Sequence, residues 1–266
     1  MDLGLNGRAC AVTGASRGIG RETARKLCAE DSDVLLIARS EEQLAEAAEK
    51  CGREGGRVAA LTLDVTAEDA GERIVAEATE RFGQLDVLVN NAGTAQRRDL
   101  DDVPDEDWYA AFELNVMAPL RAMRAAVPPM AERGWGRVVN ISSSAGKRPS
   151  AATPEYSVAK AAELSLSRLF ADRYAKQGVL INAICPGPVA SELWMGPGGL
   201  LEQTKELSGA ASREEALDAI AAQRPIGRLA EVDEIASAIV FLCSENASYV
   251  SGSAWSVDGG TVQVII

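Results

Sequence analysis

Short apolar runs rich in β-branched residues alternate along the whole chain with longer amphipathic segments, and this alternation constrains the fold more than any other feature. The runs are Ala9–Val12, Val34–Ala38, Val58–Leu63, Asp86–Asn90, Val138–Ile141, Val179–Ile184 and Ala254–Val257. Segments such as Glu42–Arg53 and Glu68–Phe82 place apolar residues every three or four positions, with charges on the opposite face. Strands that are apolar on both faces and joined by helices belong in a parallel sheet covered on each side. The pattern predicts a Rossmann-like, doubly wound α/β sheet of about seven strands flanked by helices. No repeat, low-complexity stretch or linker divides the chain, so a single domain over residues 1–266 is expected. One segment departs from the rhythm. Between Val189 and Ile226 a glycine- and proline-rich cluster, residues 194–199, precedes a helix-like stretch, Ser212–Gln223. A connection this long inside a compact domain is usually functional, and it is read as a lid insertion near residues 190–225.

Composition removes several function classes. The chain has no histidine, which excludes histidine general bases, histidine-containing zinc sites and Ser-His-Asp triads. Its net charge of −12 argues against nucleic acid and anionic membrane as partners, since both select a basic surface. The five cysteines are scattered and never in a CxxC spacing, so they read as small buried apolar side chains in a reducing compartment. No metal site is expected. The first residues lack the basic-then-apolar pattern of a secretory leader, and the longest uncharged run, Gln177–Ser191, contains two prolines. A cytoplasmic protein is expected.

The first strand runs into Thr13-Gly14-Ala15-Ser16-Arg17-Gly18-Ile19-Gly20, where a helix begins. Glycines let a backbone turn tightly and approach a pyrophosphate, whose charge a helix N-terminus stabilises. The spacing is GxxxGxG rather than GxGxxG, and a ligand-free glycine turn is the other reading of the loop taken alone. The second strand ends at Ala38-Arg39-Ser40. A carboxylate there would suit a ribose 2′-hydroxyl, whereas an arginine suits a 2′-phosphate. With Arg17 inside the loop, the pair favours NADP(H), with NAD(H) second; solvated surface arginines are the competing reading. Further on, Tyr156 and Lys160 stand four apart and so share a helix face. A nearby ammonium should lower the phenol pKa from about 10 toward the range of a proton-transfer group.

Taken together with further motifs, the chain is similar to the short-chain dehydrogenase/reductase family over nearly its whole length. The motifs are TGxxxGIG, YxxxK, Asn90-Asn91-Ala92-Gly93, Leu114-Asn115-Val116, Asn140-Ile141-Ser142-Ser143-Ser144, Pro186-Gly187 and Val257-Asp258-Gly259-Gly260, in the family's order. The resemblance implies an oxidoreductase moving hydride between a nicotinamide cofactor and a ketone or secondary alcohol. Tyr156 would be the general acid in reduction, and Lys160 would depress its pKa and bind the nicotinamide ribose. Ser143, thirteen residues before the tyrosine, would hold the carbonyl oxygen, with Ser142 and Ser144 as alternatives. Asn115 would anchor a water leading to Lys160. The cofactor-binding set implied is Gly14, Ser16, Arg17, Gly18, Ile19, Gly20, Arg39, Ser40, Asp64, Val65, Asn91, Ala92, Gly93, Tyr156, Lys160, Pro186, Gly187, Val189 and Ser191.

The substrate is less constrained. The lid offers Leu193, Trp194, Met195, Leu200 and Leu201 as an apolar cover, and the rim offers Gln96, Arg97, Lys147 and Arg148. Any of those cations is a candidate for an anionic substrate group. A small polyol, sugar acid or other ketone is expected. The alternative is a 3-oxoacyl thioester on an acyl carrier protein, for which Arg133 and Arg137 are candidate docking residues. Against it stand the acidic chain, Gln177 before the Gly178 turn, and the long lid. A non-catalytic dinucleotide-binding regulator is a remote third reading. The helices Tyr109–Met130 and Glu155–Ala175 resemble the pair that forms family dimers, and the apolar ending Thr261–Ile266 would be costly in water. A homotetramer is expected, with a dimer second.

Overall fold

A computed structural model of the protein describes residues 2–263. In chain order its elements are β1 (Ala9–Thr13), α1 (Gly18–Ala29), β2 (Asp33–Ala38), α2 (Glu41–Gly52), β3 (Val58–Thr62), α3 (Ala70–Phe82), β4 (Val87–Asn90), α4 (Asp105–Phe112), α5 (Ala118–Glu132), β5 (Gly136–Ile141), α6 (Ser144–Lys147), α7 (Pro154–Tyr174), β6 (Val179–Pro186), α8 (Glu192–Met195), α9 (Leu200–Ser208), α10 (Arg213–Ala222), α11 (Val232–Cys243) and β7 (Ala254–Val257). The strands form one seven-stranded sheet in the order β3-β2-β1-β4-β5-β6-β7, with every neighbouring pair parallel. This is the doubly wound sheet that the alternating pattern predicts.

Apolar cores lie on both faces of the sheet. Leu27, Leu44 and Ile239, from α1, α2 and α11, pack on one face; Ile74, Met123 and Ala171, from α3, α5 and α7, pack on the other. All five cysteines are buried. Strand β5 starts at Gly136, earlier than the apolar run suggests, because Arg137 is a buried strand residue. Its guanidinium is accommodated by the Gly136 carbonyl (3.0 Å), Glu245 (3.2 Å) and the face of Trp135, 4.4 Å away.

Two features of the fold position the site. The chain builds β1, β2 and β3 outward and then returns to β4 on the other side of β1, so β1 and β4 flank a topological switch point. Crevices at the carboxyl ends of strands at such a point hold ligands. Second, α4 and α5 are joined by a π-helical turn, Glu113–Met117, so the predicted helix over 109–130 is part of a longer, interrupted one. Pro119 has no N–H to offer the Asn115 carbonyl, so the i−4 ladder is broken at this point.

The segment after β6 carries α8, α9 and α10, the last matching the helix predicted over 212–223. Ser212 caps it by accepting from the Glu215 N–H at 3.0 Å. Leu201, Ala216, Ile220 and Leu229 form a small core of their own, with Trp194 and Met195 packed against it. Among the described residues, no helix is long and apolar enough to cross a membrane. Of the apolar ending discussed above, residues 264–266 lie outside the described residues.

Candidate active site

A cleft of about 1430 Å³ opens along the carboxyl ends of the strands. That exceeds the roughly 300–1,000 Å³ usual for one small ligand, and leaves room for a dinucleotide and a second molecule. One end is the loop after β1. Gly14 has φ +66°, a conformation glycine adopts without strain, and a Cβ there would lie 3.0 Å from the Ala92 backbone. Gly20, behind the loop and not lining the cleft, leaves no room for a side chain: a Cβ would sit 2.4 Å from the Asn91 amide nitrogen and 2.5 Å from the Gly14 carbonyl. The loops after β1 and β4 are stapled together by side chains. The Thr13 hydroxyl accepts from the Asn91 and Ala92 N–H groups at 2.9 and 3.0 Å, and the Asn91 amide donates to the Thr13 carbonyl at 2.9 Å.

Arg17 is the N-cap of α1 and makes no side-chain cap, and the first turn of α1 holds no acid. The helix N-terminus is therefore free to face an anion. Ser16, Arg17, Gly18, Ile19, Arg39, Ser40, Asp64 and Val65 line this end of the cleft, and Arg39 lies near enough to Asp64 to help lower its carboxyl pKa, chiefly set by hydrogen bonds from Thr66. Asn91, Ala92 and Gly93 continue the wall, and Pro186, Gly187, Val189 and Ser191 close it from β6. Glycine backbone, an uncapped helix end and two arginines at one end fit a dinucleotide phosphate, including a 2′-phosphate.

The central part is a buried polar cluster carried by α7. This helix shows little amphipathic periodicity because its inward face is polar: Glu155, Ser157, Lys160, Glu163 and Ser167 are all buried. Lys160 donates to the Ile141 carbonyl at 2.7 Å and to Glu163 at 2.9 Å, and its ammonium lies 5.8 Å from the Tyr156 ring centroid. Burial pushes the Glu163 carboxyl up to about 7, against the pull of Lys160. Burial opposes the charged form of Lys160, but Glu163 and Tyr156 outweigh it, so the ammonium is held above the ordinary lysine range.

Tyr156 corrects the sequence expectation. Burial raises its phenol pKa, and the Lys160 charge and the Ser143 hydroxyl pull it down without overcoming that. The phenol is thus held in its protonated, proton-donating form. Ser143 lines the cleft and caps α6, accepting from the Ala145 N–H at 3.1 Å. Ser142 is buried and donates to the Lys160 carbonyl at 2.9 Å, which ties up its proton; Ser144 begins α6 and lines the cleft. Asn115 is buried in the π turn, its amide donating to the Ala111 carbonyl at 2.9 Å, while its Oδ1 has no partner among the described residues. A Cβ on Gly93 would lie 3.3 Å from that oxygen and 3.8 Å from Lys160 Nζ, so both polar atoms close on one point. An orphaned acceptor there fits a bound water.

The substrate end departs most from the sequence reading. Leu193, Trp194 and Leu200 line the cleft, whereas Met195 and Leu201 pack into the small core beneath α9 and α10. Arg97 and Arg148 line it, but Gln96 and Lys147 do not. The Lys147 ammonium donates to the Ala254 carbonyl (2.5 Å) and Ser256 (3.0 Å), tying α6 to β7. Arg133 and Arg137 are also engaged: Arg133 with the Leu85 carbonyl and, at 3.8 Å, Asp86; Arg137 in its buried pocket. Arg137 is thereby withdrawn from the surface, whereas Arg133 stays solvent-exposed. Gln223, Arg224, Thr261 and Val262 line the cleft and escaped sequence reasoning, since no local motif marks them.

The cleft is cationic in an acidic protein. Its lining holds Arg17, Arg39, Arg97, Arg148, Lys160 and Arg224 against Asp64, Glu113 and Glu192. Glu113 is paired with Arg121, and Glu192 with Arg21 at 3.4 Å.

These geometric features match known proteins. The family model for enoyl-(acyl carrier protein) reductase matches residues 14–262. The chain belongs to the short-chain dehydrogenase/reductase family and is an oxidoreductase of that class. An uncharacterized oxidoreductase of Thermotoga maritima is 36% identical over 98% of this chain and 100% of its own length. A 3-oxoacyl-[acyl-carrier-protein] reductase of Salmonella typhimurium is 32% identical over 98% of this chain and 100% of its own. Among solved structures, L-sorbose reductase from Gluconobacter frateurii, complexed with NADPH and L-sorbose, is 34% identical with a TM-score of 0.92, covering 100% of both chains.

Proposed function

We propose that this protein is an NADP(H)-dependent reductase of a small ketone, or a dehydrogenase of the matching secondary alcohol. The observation that carries the reading is Tyr156 beside Lys160 in a cleft whose far end presents Arg17 and Arg39. The solved L-sorbose reductase, a complex with NADPH and a keto sugar, supports both the cofactor and the polyol or sugar-derived substrate class. Gly14, Ser16, Gly18 and Ile19 would hold the pyrophosphate, with Gly20 keeping the loop closed on Asn91; Arg17, Arg39 and Ser40 would hold the 2′-phosphate. Asp64 and Val65 would border the adenine, Asn91, Ala92 and Gly93 the ribose, and Pro186, Gly187, Val189 and Ser191 the nicotinamide. When bound, the nicotinamide dinucleotide supplies the hydride.

The remaining work falls to side chains. Tyr156 donates its hydroxyl proton to the carbonyl oxygen as negative charge develops there. Ser143 donates a second hydrogen bond to that oxygen. Lys160 steadies the tyrosinate left behind, and Asn115 holds the water through which the proton is replaced. Glu163 is a positioning residue that fixes the Lys160 ammonium. Residues 189–226 form the lid of a single domain covering the whole chain and exclude water from the reacting atoms.

The helices α4 and α7 leave Tyr109 (73%) and Leu169 (68%) exposed, which suits burial against second copies in a cytoplasmic homotetramer. Light scattering on the purified protein tests that assembly, and a monomer at micromolar concentration contradicts it. The function itself is tested by following NADPH oxidation with keto sugars, keto acids and simple cyclic ketones. Turnover of at least one carbonyl supports it, and cofactor binding without any turnover points to the regulator instead. The thioester-reductase reading has the Salmonella relative in its favour, but of the two docking residues it called on Arg137 is buried and only Arg133 remains at the surface.

A further inference from the structure

Arg97 and Arg224 approach the substrate end of the cleft from opposite directions in the sequence. Arg97 lies four residues past Gly93, and four residues span at most about 14 Å, which keeps it near the Lys160–Asn115 cluster. Its N–H donates to the Gln203 side chain at 2.8 Å, and that side chain donates to the Gly198 carbonyl at 2.8 Å, anchoring Arg97 to α9. Arg224 follows the C-cap of α10; its guanidinium reaches the Ile220 carbonyl and, at 3.5 Å, the Gln223 side chain. In both residues Nε is buried with no hydrogen-bond partner among the described residues. The carboxylates lining the cleft do not answer them, since Glu192 serves Arg21, Glu113 serves Arg121 and Asp64 accepts from Thr66.

Both guanidinium groups are half-buried in the cleft wall, and like charges brought together there need something to offset them. Burial holds both arginines below their ordinary range, and for Arg224 the charge of Arg97 adds to the effect. The cleft wall thus brings together two cations whose Nε donors are open and which have no carboxylate partner among the described residues. Resting on the carbonyl-reductase reading, we infer that Arg97 and Arg224 form an anion subsite, and that the carbonyl substrate carries a carboxylate or phosphate group held there. The guanidinium fork matches either group, which a neutral keto sugar lacks.

Calorimetric titration of the full chain with malonate and with inorganic phosphate, in the presence and absence of saturating NADPH, tests the subsite without requiring turnover. At least one anion binds, and Arg97→Met or Arg224→Met weakens it roughly tenfold to hundredfold, as expected for loss of a charge-assisted pair. Which probe binds more tightly separates the carboxylate source from the phosphate source. Retained NADPH affinity in each variant verifies its fold. A second arm compares kcat/KM for 5-keto-D-gluconate and L-sorbose, and the acid is favoured by about tenfold or more through KM. Absence of anion binding to the wild-type protein overturns the subsite, as does binding that neither variant weakens. If neutral ketones turn over well, the reductase reading survives that failure. If malonate or phosphate binds through the pair but no carbonyl is reduced, the subsite stands and the reductase reading fails.

Discussion

The two ends of the cleft are built from different materials. At the dinucleotide end the surface is backbone and short side chains at strand termini: Ala15 donates its N–H to the Ile37 carbonyl at 3.1 Å, and Thr13 and Asn91 lock the β1 and β4 loops together. At the substrate end the surface is long side chains, Arg97, Trp194, Leu200 and Arg224, carried by residues 94–97 and by a segment with a small core of its own. The first end is rigid because the sheet fixes it. The second depends on how a locally packed segment settles over the sheet, so it can change ligand without disturbing the fold.

The largest effect separating binding from chemistry is expected at the midpoint of the cleft. Tyr156→Phe keeps the ring but removes the proton, and single-turnover kinetics should show a loss of roughly 10³-fold or more with NADPH affinity retained. Loss of both together would mean that the phenol serves cofactor binding rather than proton transfer.

Next comes the rigid end itself. Gly20→Ala drives a methyl to within 2.4 Å of the Asn91 amide and 2.5 Å of the Gly14 carbonyl. Denaturant unfolding should show a cost of about 1–3 kcal/mol, accompanied by weaker cofactor binding. An unchanged midpoint would show that the staple between the β1 and β4 loops is not rigid.

The buried carboxyl on α7 gives a pH signature. Glu163 titrates near 7 when folded against 4.5 ordinarily, so the folded state holds a proton that the unfolded chain has released. Its contribution therefore makes stability fall as pH rises from about 4.5 to 7. The raised Lys160 acts in the same direction but only in alkaline solution, where stability is lost as pH climbs past the ordinary lysine range. Glu163→Gln should flatten the acid-side slope by about 1–3 kcal/mol, read as urea midpoints at either end of that window. An identical slope in the variant would place the titration elsewhere.

The smallest effect is expected at Lys147. Its ammonium is spent on the Ala254 carbonyl and Ser256, so Lys147→Met should move KM by less than about twofold while lowering stability slightly. A large KM increase would return this lysine to the rim of the cleft.

The same contrast explains what could be read from the sequence. Glycines, strand runs and the Tyr156–Lys160 spacing express local backbone rules, and the order of motifs places them on strand ends that the sheet must bring together. Lys147 and Arg148 are adjacent in sequence, yet only Arg148 lines the cleft, because β7 captures the Lys147 ammonium across more than a hundred residues. Arg224 carries no local mark; it reaches the cleft because α10 folds onto its own core and ends there. Arg137 hides a strand start behind a formal charge, since Glu245, which accepts from it, comes from a distant part of the chain. The direction of the Tyr156 shift was also beyond spacing alone, because burial depends on what packs around the helix.

The claim that the rigid end chooses a phosphorylated cofactor is tested most directly by fluorescence titration of the purified protein with NADPH and NADH side by side. The arginines at the tips of β1 and β2 predict at least about tenfold tighter binding of NADPH, reduced toward parity in Arg17→Ala/Arg39→Ala. Equal or tighter binding of NADH by the unmodified protein would contradict the account.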